Sequence, residues 1–113
     1  MLQTRKLTRH FAGVTAVSDV DIDVAPREIF GIIGPNGAGK TTFFNLLSGV
    51  MRCSAGEIRF KGESIHELSP HAIARRGIGR TFQIVRPFSD LSVLENVLAA
   101  IGARNCTSVL GAL

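Results

Sequence analysis

Gly34, Gly39, Lys40 and Thr41 stand at the spacing G-x-x-x-x-G-K-[ST], with a further glycine at position 37. Residue types in that order hold phosphate. Glycines reach positive φ without strain and place no Cβ between the main chain and a ligand, so successive N–H groups can turn inward as an anion-binding nest. A helix opening at about Gly39 adds its positive end and its unpaired first amides. Lys40 then supplies an ammonium for the β and γ phosphates of a nucleoside triphosphate. Thr41 offers a hydroxyl to Mg²⁺, and the Thr42 amide reaches the α phosphate. Asn36, Gly37 and Ala38 complete the loop, which we take as residues 34–42.

A loop of this kind needs a strand before it and a helix after it. "EIFGII" (28–33) is a continuous apolar run suited to a strand buried on both faces, as in a parallel sheet. Phe43, Phe44, Leu46, Leu47 and Val50 recur at helical spacing beyond the loop. Upstream, "DVDIDV" (19–24) alternates Val20, Ile22 and Val24 with three aspartates, a half-buried strand with a wet acidic face, and "APRE" turns the chain. "GEIRF" before Lys61 and Gly62 predicts an antiparallel strand ending in a turn. Ser69 and Pro70 open a short helix that Gly77 stops. Ser92 and Glu95 form a capping box for a helix carrying Val93, Leu94, Val97, Leu98 and Ile101 on one face.

The totals leave room for one modest domain: 113 residues, 45% hydrophobic and 19% charged, which excludes a disordered or fibrous chain. The net charge of +4 suits a polyanionic ligand. The basic residues are scattered, with no adjacent run longer than the pairs Arg5–Lys6 and Arg75–Arg76, so no nucleic-acid stripe is present and no nucleic-acid partner is expected. Cys53 and Cys106 lie far apart without neighbouring histidines at ligand spacing, which reads as two free thiols. The polar start is unlike a secretory signal. No apolar run approaches the ~20 residues that span a bilayer, so any membrane role is peripheral.

The filled-in loop "GPNGAGKTT" resembles that of ABC transporter ATPase subunits. The resemblance covers Leu2 to about Ala103 and implies an α/β P-loop NTPase fold. On that reading, residues 1–113 are the N-terminal part of a single nucleotide-binding domain: the antiparallel β subdomain plus the start of the parallel core sheet. It implies ATP and Mg²⁺ as ligands. Phe11 falls where the family places an aromatic that stacks on adenine, a contact worth ~1–3 kcal/mol in nucleic-acid binders, and Val17 would line the same side of the ring. Gln83, within "GIGRTFQIVRPFSDLSVLENV", matches the Q-loop glutamine, which senses Mg²⁺ and the attacking water; a neutral amide can ligate or release the metal without changing charge. Thr41 and Gln83 are thus the implied Mg²⁺ ligands. "RTFQ" with Arg86 and Phe88 resembles the ATPase branch serving importers of branched-chain amino acids, with urea and amide importers nearby.

Such a subunit is expected to lie peripherally on the cytoplasmic face of the cell membrane. Its expected partners are a second ATPase subunit, transmembrane permease subunits and, indirectly, an extracytoplasmic solute-binding protein. The 113 residues hold no Leu-Ser-Gly-Gly-Gln signature after Gln83, no apolar strand ending in Asp-Glu, and no histidine beyond His71. Hydrolysis needs a positioned water, a base or orienting group, and charge stabilisation. These residues alone are therefore expected to bind Mg-ATP weakly, not to hydrolyse it, and to be poorly soluble beside an unpaired apolar edge. The alternatives are a soluble ATPase of the same superfamily acting on ribosomes or DNA, a non-catalytic nucleotide-binding regulator, and a small phosphotransferase.

Overall fold

The computed structural model describes residues 1–102, which divide into two compact units, Met1–Ile78 and a second from Gly79 onward. Cys106 and the closing "RNCTSVLGAL" lie outside the described residues.

The first unit is built on a four-stranded antiparallel sheet in the order β2-β1-β3-β4, from β1 (Leu2–Phe11), β2 (Val14–Val24), β3 (Ala55–Phe60) and β4 (Glu63–Ser64). β1 sits centrally, paired with β2 on one side and β3 on the other. β2 realises the expected alternation: Val20, Ile22 and Val24 are half-buried and the three aspartates exposed. β1 is a strand that the apolar period does not reveal. Its alternation breaks at Lys6, whose φ is +46°, and the register with β2 shifts there. Two threonines complete the broken ladder. Thr4 Oγ1 donates to the Val20 carbonyl (2.9 Å) and accepts the Ile22 amide (3.1 Å). Thr8 Oγ1 donates to the Lys6 carbonyl (3.1 Å) and accepts the Asp19 amide (3.0 Å). Both are buried, and their hydroxyls satisfy backbone groups that a bulge leaves unpaired.

Two short turns close the hairpins. Ala12–Gly13 joins β1 to β2 and Lys61–Gly62 joins β3 to β4, all four residues at positive φ, the backbone that follows strand twist. Helix α1 (Lys40–Leu47) contributes Phe43 and Leu46 to the core, and α2 (Pro70–Arg75) contributes Ile73. They close over Leu7, Val17, Ile58, Phe60 and Ile65. Each such fully buried side chain contributes about 1.5–3 kcal/mol through removal from water. Phe44 and Val50, expected on the same face as Phe43, are instead exposed, Val50 because it lies past the helix end. α2 starts and stops as expected: the Ser69 hydroxyl accepts the Ala72 amide (3.3 Å), and Gly77 turns out at φ +103°.

"EIFGII" departs from expectation. It forms no ladder, and Ile29 and Ile33 are 100% and 99% exposed. Only Ile32 packs against the core. A parallel strand takes its order from flanking strands, and among the described residues none lies beside this segment. The antiparallel part of the anticipated architecture is thus formed, and the parallel part is not formed among the described residues.

The second unit carries α3 (Val93–Gly102). Its capping box is complete: the Ser92 hydroxyl and amide both donate to Glu95 Oε2 at 2.7 Å, and the Glu95 amide donates to Ser92 Oγ at 3.3 Å. Asn96 ties down the preceding loop, accepting the Phe88 amide (2.9 Å) and donating to the carbonyls of Phe88, Leu91 and Ser92.

Candidate phosphate-binding site

The loop 34–42 leaves the irregular segment, bends through a turn in which the Ala38 amide donates to the Pro35 carbonyl (3.2 Å), and enters α1. The helix ladder begins with the Phe43 amide donating to the Gly39 carbonyl at 2.8 Å. Gly37 and Gly39 both adopt left-handed backbone, φ +86° and +87°. Gly39 is further constrained because the Ala16 carbonyl occupies the place a Cβ would take, with Val17 Cγ2 3.6 Å from it. β2 therefore presses directly on the base of the loop.

Lys40 is half-buried, and its ammonium donates to the carbonyls of Gly34 and Pro35, the latter at 2.6 Å. These bonds fold the side chain back across its own loop, so one full positive charge stands beside the curled main chain. No acidic side chain occupies the first turn of α1, which leaves the positive helix end to an anion. Thr41 is exposed at that end and Thr42 half-buried; Asn36, Gly37 and Ala38 line the solvent side. This set fits a polyphosphate: an ammonium held at the loop, a left-handed glycine cradle and a helix N-terminus. The Thr41 hydroxyl is an oxygen donor of the kind a hard cation such as Mg²⁺ takes. Along β2 a largely apolar cavity of about 200 Å³ adjoins the loop, lined by Ala16, Val17, Val20, Ile32, Ala38, Gly39, Lys40 and Phe43 among others.

Phe11 ends β1 with 37% of its surface exposed, and the Arg9 guanidinium carbon lies 4.7 Å from its ring centroid. Val17 is 6% exposed and belongs to the core beneath Gly39. Gln83 is exposed and falls in the second unit. The structure thus brings Val17 to the loop, and Phe11 stands at the end of β1 in the same unit. Arg9 escaped the sequence reading; its signal is the i, i+2 spacing that puts it on the same strand face as Phe11.

Among the described residues no group of three metal-ligating side chains is present, and no helix is long and apolar enough to cross a membrane. Cys53 is a half-buried free thiol.

The sequence matches the ABC transporter family over residues 17–112. It is 47% identical over 100 residues to the probable branched-chain amino acid transport ATP-binding protein LivG of Archaeoglobus fulgidus, and 46% identical over 100 residues to the high-affinity branched-chain amino acid transport ATP-binding protein BraF of Pseudomonas aeruginosa. Each match covers 88% of this chain and 39% of the relative, so the chain spans about two fifths of their length. The fold is similar to that of a nucleotide-free ATP-binding cassette from an ABC transporter, with a TM-score of 0.78 and 35% identity, covering 90% of this chain and 40% of that one.

Proposed function

This chain belongs to the ABC transporter family, and from that premise we propose that it binds Mg-ATP as part of an importer's ATPase subunit. The observation that carries the reading is Lys40, whose ammonium is held across the glycine loop by the Gly34 and Pro35 carbonyls. An incoming phosphate replaces those neutral acceptors with anionic oxygens, adding charge–charge attraction to bonds the ammonium already makes. Gly34, Asn36, Gly37, Ala38, Gly39 and Thr42 surround the phosphates, Thr41 contributes to Mg²⁺, Phe11 stacks on the base beside Val17, and Gln83 senses metal and water.

The cargo we assign is a branched-chain amino acid or related small polar solute, supported by the names of the two relatives above. The subunit would pair with a second ATPase and dock on permease subunits at the cytoplasmic face, served by an extracytoplasmic solute-binding protein. The 113 residues by themselves bind Mg-ATP weakly and do not turn it over, because Lys40, Thr41 and Gln83 include no base for the attacking water.

Titration calorimetry with Mg-ATP, followed by a phosphate-release assay on the same sample, tests this. Binding without Lys40-dependent release is expected. No heat up to millimolar Mg-ATP, or release that Lys40→Ala abolishes, would overturn the respective half of the proposal. For the cargo, leucine uptake by cells whose natural copy carries Lys40→Ala should fall to background, and unchanged uptake would refute the assignment.

A further inference from the structure

We propose that Arg9 is a positioning residue for base recognition, bracing one face of the Phe11 ring so that the other face meets the nucleotide base; the inference rests on the base-stacking reading of Phe11. Arg9 Cζ stands 4.7 Å from the ring centroid, within the range of a cation–π contact. The guanidinium is also tethered from outside its own strand. Its Nη1 donates to the Arg52 carbonyl at 2.9 Å, in the segment that follows α1. Arg9 Nε is meanwhile buried without a hydrogen-bond partner.

A buried donor left unpaired is costly, and a long cationic side chain ordinarily swings its head to water. Arg9 stays because the ring and the Arg52 carbonyl together hold its plane. Phe11 precedes a two-residue turn at Ala12–Gly13 and is more than a third exposed, so its own packing does little to fix its ring. A planar cation stacked on one face restricts the ring's rotation and occupies that face. A base can then approach from one side only, onto a ring already ordered, which reduces the entropy lost on binding.

The test uses the full chain and two probes, Mg-ATP and Mg-tripolyphosphate, which has the phosphates without the base. Arg9→Gln removes the charge and, with an amide two bonds shorter than the guanidinium arm, the bond to the Arg52 carbonyl as well, so the Phe11→Ala background is what separates the brace from the tether. The substitution should weaken Mg-ATP roughly 2- to 5-fold, the span of an exposed cation–π contact, and leave Mg-tripolyphosphate unchanged. Arg9→Lys should recover part of the loss, and Arg9→Gln should add nothing in a Phe11→Ala background. Equal weakening of both probes, an equal effect with and without Phe11, or no effect on Mg-ATP would each overturn the brace. If Phe11→Ala itself leaves Mg-ATP affinity unchanged, the base-stacking reading fails and the brace falls with it.

Discussion

The main-chain carbonyl of Ala16 stands where a Cβ on Gly39 would project. Strand β2 and the mouth of α1 are therefore in direct backbone contact, and the phosphate loop takes its shape from the strand as well as from its own turn. Gly37 has the same left-handed backbone but open space around it. The two glycines separate strain from collision. Gly37→Ala should cost about 1–2 kcal/mol through φ alone, and Gly39→Ala should cost at least ~1 kcal/mol more, because backbone must move. Denaturant midpoints of the two variants measure the difference. Equal losses would mean that the Ala16 contact gives way freely.

Lys40 makes two bonds to its own loop and would exchange them for phosphate oxygens. Hydrogen bonds to charged groups contribute about 1.5–3 kcal/mol, so Lys40→Ala should lower Mg-ATP affinity roughly 10- to 100-fold. Arginine should not rescue it, since a planar guanidinium is wider than the compact ammonium the loop encloses. Calorimetry on the three proteins decides this, and full rescue by Lys40→Arg would show that charge alone suffices.

The loop could be read from sequence because its chemistry is local: glycine, lysine and threonine at fixed offsets need only their neighbours to form the site. The caps were legible for the same reason, as Ser92 with Glu95 and Ser69 with Pro70 show. β1 was not, because its buried positions include Thr4 and Thr8 and its period breaks at the Lys6 bulge, so hydrophobic alternation has nothing to count. "EIFGII" was read as a strand on composition, but a strand is a relation between segments, and no partner lies beside it among the described residues. Arg9 was hidden because its tether is the carbonyl of Arg52, 43 positions away.

The pairing of β1 with β2 carries a pH-sensitive pair. Arg5 Nη2 lies 2.8 Å from Asp23 Oδ1, and Gln3 Nε2 donates to the same oxygen at 2.7 Å. The Arg5 hydrogen bond first, and that of Gln3 second, hold the Asp23 carboxyl below the ordinary carboxylate range. A depressed carboxyl contributes stability above its unfolded value, near pH 4, and loses it as pH falls through the folded one. Asp23→Asn should accordingly be less stable than the parent at neutral pH, with the gap closing below about pH 4 and shrinking in high salt. Melting curves from pH 7 to pH 2 test this; a gap that does not change with pH would remove Asp23 as its source.

Ile29 is fully exposed on an unpaired apolar segment, whereas Ile32, three residues on, packs against the core. A run of unpaired backbone with apolar side chains is a template for another chain. The 113-residue polypeptide should therefore self-associate at micromolar concentration, and Ile29→Lys should raise its monomer fraction. Because Ile29 touches nothing, the change in stability should stay within ~0.5 kcal/mol. Ile32→Lys should instead unfold the unit, since it drives a charge into the face that Phe43 and Val17 share. Sedimentation velocity on the parent and the Ile29 variant is decisive: a parent that is already monomeric, or a variant that associates equally, would place the sticky surface elsewhere.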